Sequence, residues 1–495
     1  MEKNYLLLLS CIVLISLVVR YCVSLNSYSG ANTPPIFGDY EAQRHWMEIT
    51  YHLNITDWYQ QTKDNDLMYW GLDYPPLTAY HSKICGYIAN LINPDWVALK
   101  SSRGHESYQH KLFMRNSVMF VDVLIYIPAV IFYFATVLNK VSKVNQLCIS
   151  CFVLLYPGLI LVDHGHFQYN CVSLGLMLLA VISFIKNAHL IGSICFVFAL
   201  NYKQMELYHS LPVFFYLLGV CYNQKSWFQS FVKLASIGIT VIFSFILCWL
   251  PFLRSAESAL QVLRRLFPLN RGLYEDKVAN FWCALSAVIK IKHILKQEHI
   301  VWLCITTTLL VCLPSCINLF VCASKKKFLF ALVNCSLAFF LFSYQVHEKS
   351  ILIVALPVCL VFPYTPVASV WFLAVSTVSM YPLLFRDGQA VSYFALLAIF
   401  LVASMFIVDL KSHSKWLKLC IGFSLFVNIS VHILHATVKP PERLPDIFPL
   451  LFAVNSCVHF LLFLIYFNYM QIICNDDNKL CNLYVCHESK ERKLK

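Results

Sequence analysis

Long apolar runs separated by short polar breaks recur along the 495-residue chain and limit what it can fold into. A run of about 20 apolar residues can cross a bilayer as one helix, and only 13% of the residues are charged, about half the share usual in soluble domains. By length and hydropathy there are about fourteen such runs. They cover residues 4–24, 115–138, 147–162, 171–185, 190–201, 210–222, 232–253, 300–322, 328–344, 351–363, 367–384, 390–409, 417–436 and 447–470. We therefore expect an all-α integral membrane protein, a polytopic bundle of about fourteen transmembrane helices forming one domain over residues 1–495.

Small clusters of basic residues occupy alternate breaks between these runs. They are Lys140/Lys143, Lys186, Lys225, Lys325–Lys327, Lys411/Lys415/Lys418 and the C-terminal tail. Because basic loops face the cytosol, we expect both termini to be cytosolic and the remaining loops to be lumenal. The same clusters account for the net charge of +12 without a nucleic-acid partner. The first run is longer than the apolar part of a usual signal peptide, so we expect it to remain as an uncleaved helix.

Two long polar loops lie on the expected lumenal side. The first, residues 25–114, holds nine acidic and six basic residues, whereas the second, residues 254–299, holds four acidic and eight basic residues. Topology does not require a basic excess on that face. The excess could meet an anion such as a lipid phosphate, or it could belong to an interfacial helix with snorkelling basic side chains. We favour anion binding for Arg264, Arg265 and Arg271, which flank Phe267-Pro268-Leu269.

The first loop carries the densest group of acid, base and aromatic residues. Pro34-Pro35 ends any preceding helix, and Asp39 is predicted to cap a new helix with Glu41 and His45 on one face. Asp39 is our candidate general base, since a carboxylate at the mouth of a membrane groove can accept a proton from a hydroxyl. Its alternative role is that of a helix cap only. Asp73 is a second candidate base, which could equally hydrogen-bond its own turn.

Two further polar clusters interrupt the apolar runs on the same expected face, at residues 163–170 and 346–350. Ionisable groups between spans are functional hypotheses by default. His347 and Lys349 could contact a phosphate, while Glu348 could simply pair with Lys349. An acid-rich loop and a basic loop on one membrane face suggest group transfer from a lipid phosphate. Such a transfer requires a base that takes a proton from the acceptor hydroxyl and cations that hold the departing phosphate.

Two metal sites are weaker alternatives. His164 and His166 offer two imidazoles with one neighbouring Asp, which is an incomplete ligand set. Asp64-Asn65-Asp66 has the D-x-D form of metal-dependent sugar transferases, but three residues match by chance often. We therefore expect no metal and no cofactor.

Six longer runs resemble the dolichyl-phosphate-glucose-dependent glucosyltransferases of the endoplasmic reticulum. They are FGDYEAQRHWMEIT (Phe37–Thr50), YWGLDYPPLTAYHS (Tyr69–Ser82), LYPGLILVDHGHFQYN (Leu155–Asn170), NYKQMELYHSLP (Asn201–Pro212), LQVLRRLFPLNRGLYEDKVANFW (Leu260–Trp282) and FSYQVHEKSIL (Phe342–Leu352). The remainder of the chain resembles the family in hydropathy and in LPVCLVFP (Leu356–Pro363).

The resemblance implies a GT-C type bundle whose lumenal loops carry short interfacial helices, and an inverting transfer without metal. The donor would be dolichyl phosphate glucose, and the acceptor a mannose-rich oligosaccharide on a membrane lipid, which receives its first glucose in an α-1,3 linkage during protein N-glycosylation. Asp39 matches the family's catalytic base. His347 and one or more of Arg264, Arg265 and Arg271 match groups that approach the donor phosphate.

Two other functions remain open: the sibling enzyme that adds the second glucose, and a flippase for lipid-linked sugars. The lack of two matching halves weighs against a transporter built on inverted repeats. For the transferase, we expect an active site on the lumenal side of the endoplasmic reticulum membrane. Besides Asp39, the residues expected to bind substrate are His347, Arg264, Arg265, Arg271, Lys349, Glu41, Arg44, His45, Asp73, Tyr74, His166 and Gln168.

Overall fold

The computed structural model describes residues 2–268, Leu273 and residues 276–474, which form 22 α-helices and no β-strand. The N-terminal helices are α1 (Glu2–Ser24), α2 (Asp39–His52), α3 (Pro76–Ile92), α4 (Tyr108–Val121), α5 (Ile127–Val137), α6 (Lys143–Leu154), α7 (Pro157–Ile160), α8 (Asn170–Ile185), α9 (His189–Tyr202), α10 (Ser210–Tyr222) and α11 (Trp227–Trp249). The C-terminal helices are α12 (Ala256–Leu266), α13 (Phe281–Ser286), α14 (Ile291–Ile294), α15 (Gln297–Val321), α16 (Lys325–Phe342), α17 (Ile351–Val361), α18 (Pro366–Ser379), α19 (Tyr381–Arg386), α20 (Ala390–Ile407), α21 (Lys415–Thr437) and α22 (Ile447–Ile473). Two π-helical segments lie at Asp122–Tyr126 and Leu161–Phe167, and short 3-10 segments at Ile55–Asp57, Pro94–Trp96, Gln204–His209, Leu250–Phe252 and Glu348–Ser350.

The apolar runs all fall on helices, which confirms the expectation of an all-α protein. Seven helices of the described residues are long and apolar enough to cross a membrane, and an eighth results if the segments 143–154 and 157–167, bent by 49°, form one span. Three further apolar helices, α8, α9 and α18, are shorter than 18 residues. The predicted count of fourteen spans is therefore not confirmed, because several runs give helices too short to cross a bilayer alone.

Burial separates the central helices from the peripheral ones. Helix α17 buries all 11 of its residues, whereas only three of the 23 residues of α11 are buried. Both helices are strongly apolar, so the exposed Leu, Ile and Phe side chains of α11 indicate a lipid-facing surface. The polar ends of the central helices thus lie inside the protein, where groups from several segments can meet.

The two π-helical segments place charged side chains inside the bundle. Arg20 on α1 donates from Nε to Asp122 Oδ2 at 2.5 Å, and both side chains are 1% exposed. His164 Nε2 lies 2.9 Å from the same Asp122 oxygen, and Arg20 also donates to the Leu154 carbonyl at 3.0 Å. The two π-helical segments thus bring Asp122 and His164 together inside the bundle, and Asp122 contacts both Arg20 and His164.

Removal of the Asp122 carboxylate should destabilise the protein, because Arg20 would keep a buried charge without its partner. We expect Asp122→Ala to lower the free energy of unfolding by about 3–5 kcal/mol, measured by denaturant unfolding in detergent. The double variant Arg20→Met/Asp122→Leu is the control, and it should recover most of the loss. Equal instability of both variants would show that the charges themselves are not responsible.

The two polar loops pack against each other. Helix α12 inserts Val262 and Leu266 into an apolar cluster with Trp58 and Tyr59 of the first loop. Arg265, on the same helix, donates from Nη2 to the Gly71 carbonyl at 2.7 Å and from Nε to the Leu72 carbonyl at 3.2 Å. Apolar packing and these two hydrogen bonds therefore hold the two loops together.

Candidate active site

Helix α2 begins at Asp39, but the residue at its N-cap is Gly38, so the predicted capping role of Asp39 is wrong. The Asp39 backbone N–H donates to Ser29 Oγ at 3.2 Å instead. A Cβ on Gly38 would lie 2.5 Å from Ser29 Oγ, so only glycine allows the two segments to approach this closely. The close approach leaves the Asp39 carboxylate available for other contacts.

Three side chains from distant segments meet at one oxygen of that carboxylate. Asp39 Oδ2 accepts hydrogen bonds from Lys349 Nζ at 2.5 Å and from Gln168 Nε2 at 2.5 Å, and His166 Nε2 lies 3.1 Å away. Lys349 Nζ is also 3.2 Å from His166 Nε2. The structure thus brings together Asp39, His166, Gln168 and Lys349, four of the residues predicted from the sequence.

These contacts determine the protonation state of Asp39. Burial opposes its ionisation, but the positive charge of Lys349 and the His166 contact outweigh burial, so the pKa of Asp39 lies well below its usual range. The carboxylate is therefore ionised at neutral pH. Asp39 Oδ1 accepts no hydrogen bond from the described residues, and the Asp39 side chain is 24% exposed, so the carboxylate has an oxygen with capacity to accept a further hydrogen bond.

A second network, which the sequence reasoning missed, lies behind Gln168. Lys203 Nζ donates to Gln168 Oε1 at 3.1 Å and also to Asn170 Oδ1. Gln168 therefore accepts from one cation and donates to Asp39, which fixes the orientation of its amide. Burial and the nearby charge of Lys349 lower the pKa of Lys203 to about 8. Lys203 and Gln168 line a small cavity together with Tyr74.

Asp387 is the other residue that the sequence reasoning missed. Its Oδ2 lies 2.5 Å from His166 Nδ1, and the side chain is 8% exposed. The available signal was its place in the polar break at residues 386–389, between two apolar runs. That break alone did not distinguish Asp387 from its neighbours.

Three predicted residues of α2 lie in a separate buried ladder. Arg44 Nη2 donates to Glu41 Oε1 at 2.6 Å and to Glu48 Oε2 at 2.7 Å, and His45 Nδ1 lies 3.1 Å from Glu48 Oε2. Tyr69 and the backbone of Lys100 donate to the two carboxylates as well. Glu41, Arg44 and His45 are at most 3% exposed, so this arrangement braces the loop, and their contact with substrate stays a prediction.

The two predicted arginines that the structure describes, Arg264 and Arg265, lie on α12. Arg265 binds first-loop carbonyls, as described above, and Arg264 is exposed on α12. Arg271 lies outside the described residues. The proposed contact of these arginines with a donor phosphate stays a prediction, and Lys349 is the lysine that forms the ion pair with Asp39.

The remaining predicted residues lie near the site or on its rim. His347 immediately precedes the 3-10 segment that carries Lys349, and the Tyr74 ring centroid is 5.4 Å from Lys203 Nζ. The backbone carbonyl of Asp73 accepts from Gln204 Nε2 at 3.0 Å. Lys349 forms its ion pair with Asp39, and not with Glu348 as we considered. Burial raises the pKa of Glu348 to about 7.

The side chains of the two metal sites considered from the sequence, Asp64/Asp66 and His164/His166, have other partners. Asp64 Oδ1 accepts from Lys100 Nζ at 2.7 Å on the surface, and Asp66 Oδ1 accepts from the Met68 backbone. His164 contacts Asp122, whereas His166 contacts Asp39 and Asp387. Within the residues that the structure describes, no three His, Cys, Asp or Glu side chains are grouped as metal ligands would be.

Comparisons with known proteins place the chain among glycosyltransferases, as the six long runs of the sequence indicate. The model of the ALG6, ALG8 glycosyltransferase family matches residues 12–466. A chicken protein named dolichyl pyrophosphate Man9GlcNAc2 alpha-1,3-glucosyltransferase is 51% identical over 494 residues, covering 94% of this chain and 97% of the chicken chain. The rat protein of the same name is 50% identical over 482 residues, with 92% and 95% covered. A Dictyostelium discoideum protein with the same name, qualified as probable, is 45% identical over 485 residues, with 92% and 93% covered.

These names correct the recognition made from the motifs. That recognition named the family by its sugar donor, dolichyl phosphate glucose, whereas the relatives are named for their acceptor glycan. The relatives' names specify the acceptor glycan on dolichyl pyrophosphate and give no donor.

Proposed function

This chain belongs to the ALG6, ALG8 glycosyltransferase family, and from that premise we infer that it is an α-1,3-glucosyltransferase acting on Man9GlcNAc2 linked to dolichyl pyrophosphate. Man9GlcNAc2 carries no glucose, so the enzyme adds the first glucose of the lipid-linked oligosaccharide in N-glycosylation. Neither the sibling activity nor a flippase activity is favoured by a contact in the site.

One observation supports the chemistry: an ionised Asp39 whose Oδ2 contacts Lys349, Gln168 and His166, while its Oδ1 accepts no hydrogen bond from the described residues. In the proposed step, a mannose hydroxyl gives its proton to Asp39 Oδ1 while its oxygen attacks the anomeric carbon of glucose. The bond from that carbon to the donor phosphate breaks, and the electron pair leaves on the phosphate oxygen. Attack from the opposite face converts a β-linked glucose into an α-linked one.

The donor in this proposal is dolichyl phosphate glucose, whose lipid lies among the spans. Lys349 Nζ has three protons, of which one is committed to Asp39. It can therefore also bind the departing phosphate, and His347 on the same hairpin would be a second contact. The acceptor's own lipid holds the glycan near the same membrane surface and raises its effective concentration.

We place this single polytopic domain in the endoplasmic reticulum membrane, with the site in the lumen and both termini in the cytosol. The site lies where the first loop meets the 346–350 hairpin and the break at 386–389, all of which are on the lumenal face of the predicted topology.

Two acceptors offered separately test the proposed activity. Purified protein with dolichyl phosphate glucose should glucosylate lipid-linked Man9GlcNAc2 and leave the monoglucosylated acceptor unchanged, as mass spectrometry of the released glycans would show. Reaction with the monoglucosylated acceptor alone would identify the second-glucose enzyme. Movement of labelled lipid across vesicles without a new glycosidic bond would identify a flippase.

We also propose that the transfer needs no metal ion, because Asp39 supplies the base and Lys349 the cation. The initial rate should be the same with and without excess EDTA, measured on protein dialysed against the chelator. A rate that falls and returns when Mg²⁺ or Mn²⁺ is restored would contradict this and direct attention to Asp64 and Asp66.

A further inference from the structure

The imidazole of His166 is held between two carboxylates from distant parts of the chain. Nδ1 lies 2.5 Å from Asp387 Oδ2, which is 221 residues away in sequence, and Nε2 lies 3.1 Å from Asp39 Oδ2, which is 127 residues away. A neutral imidazole has one N–H donor, whereas the imidazolium has two. The two carboxylates are therefore both satisfied when His166 carries a positive charge.

The Asp387 segment is itself fixed in place. Helix α19 ends at Arg386, and Gly388 has a φ of +73°, a left-handed conformation suited to glycine. Gln389 is 0% exposed and donates from Nε2 to the Ser27 carbonyl at 2.5 Å. The carboxylate of Asp387 is thus held inside the protein, where a charge is unfavourable unless it is paired.

The four groups in direct contact at His166 carry charges of both signs. Asp39 and Asp387 are negative, and Lys349 and the imidazolium are positive. Further charged groups lie around this cluster: Arg115, which donates to the Gly165 carbonyl at 2.7 Å, Glu348 on the hairpin with Lys349, Lys203, which donates to Gln168, and Arg386, which precedes Asp387. Without the Asp387 carboxylate the imidazole would lose one of the two carboxylates that favour its charged form, and Asp39 would lose a cationic neighbour wherever the imidazole became neutral.

We propose that Asp387 is a positioning residue of the transfer reaction: acting through His166, it keeps the imidazole charged and oriented on Asp39 Oδ2. That oxygen then stays occupied, and Oδ1 is the one presented to the acceptor hydroxyl. Asp387 itself touches neither substrate nor the reacting atoms. The inference rests on the proposed glucosyltransferase function and on Asp39 as its base.

A double-mutant cycle tests this coupling, with kcat and the donor KM measured on equal amounts of folded protein in detergent. We expect Asp387→Asn to lower kcat by about 10- to 100-fold with the donor KM and the melting temperature nearly unchanged. In the His166→Gln background, the same change should have no further effect on kcat, because the residue through which Asp387 acts is gone. Asp387→Glu, which keeps the charge, should retain most of the activity.

The matched control is Asp276→Asn, which removes an exposed carboxylate that pairs with the neighbouring Arg386 at 2.8 Å and should leave kcat unchanged. Equal losses from Asp387→Asn in both His166 backgrounds would overturn the proposal. So would a loss for Asp387→Glu as large as for Asp387→Asn, or an Asp387→Asn protein that no longer folds, since Asp387 would then serve stability. An inactive wild-type protein would instead refute the transferase function itself.

Discussion

Replacement of Asp39 by Asn is expected to reduce glucose transfer by about 10³-fold or more. General base catalysis contributes about 10²–10⁴-fold, and the amide of Asn cannot accept the proton that Asp39 takes from the hydroxyl. Asn keeps the size of Asp and can still accept the hydrogen bonds of Lys349 and Gln168 through its carbonyl oxygen. The geometry of the site should therefore persist while the base is lost. Single-turnover transfer to lipid-linked Man9GlcNAc2 is the measurement, with binding of donor measured on the same preparation.

The matched control for this variant is Asp64→Asn. Asp64 is a carboxylate of the same loop that also pairs with a lysine, but on the surface, at 2.7 Å from Lys100. Exposed ion pairs contribute little, so Asp64→Asn should leave transfer unchanged. If Asp39→Asn lost donor binding together with transfer, Asp39 would have to be reassigned as a structural residue. If it retained transfer, the base would have to be another group, with Asp73 the next candidate.

Replacement of Lys349 by Gln should have the second largest effect, about 10²–10³-fold on kcat, because preorganised charge on a leaving group is worth that much in related settings. In our proposal Lys349 serves both reacting partners, as it holds Asp39 Oδ2 and reaches the departing phosphate. Lys100→Gln is the matched control, since Lys100 forms the corresponding exposed pair with Asp64. Equal rates for wild type and Lys349→Gln would remove Lys349 from the mechanism.

The same variant should also change the pH dependence, and the sign follows from the site. The pKa of Asp39 is low because Lys349 and His166 together outweigh burial. When Lys349 becomes neutral, burial remains and one of these charges is gone, so the pKa of Asp39 rises. The acidic limb of the kcat/KM profile should therefore move to higher pH in Lys349→Gln. A limb that stays in place, or moves to lower pH, would show that the limb does not report Asp39.

Charge composition and the family resemblance both led to the arginine assignment, which stays a prediction. In the structure Val262 and Leu266 of α12 pack against the first loop and Arg265 donates to two of its backbone carbonyls, so this helix joins the two loops. Lys203 and Lys349 each occur as single basic residues in short polar breaks. These two lysines differ from the arginines of α12 in their contacts: Lys349 binds Asp39, and Lys203 binds the Gln168 side chain next to it. The number of basic residues in a segment does not reveal this difference.

Local patterns in the sequence were sufficient to predict the helices, the candidate base and two of the segments that contact it. The apolar runs determined the helices, because the backbone in a membrane must satisfy its own hydrogen bonds. The position of Asp39 in the one acid-rich stretch after Pro34-Pro35 identified the candidate base. The two short polar breaks at 163–170 and 346–350 identified the segments that contribute His166, Gln168 and Lys349.

Only the tertiary structure decided which of these groups meet and which do not. Lys349 is 310 residues from Asp39 in sequence, and Asp387 is 221 residues from His166, so no local spacing relates either pair. Arg44 and His45 pair with acidic residues of α2 at i,i+3 and i,i+4 spacing, which the sequence contains, but their burial depends on the segments packed around α2. Helical periodicity specifies one element at a time, whereas a site formed at the ends of several helices depends on how those helices pack.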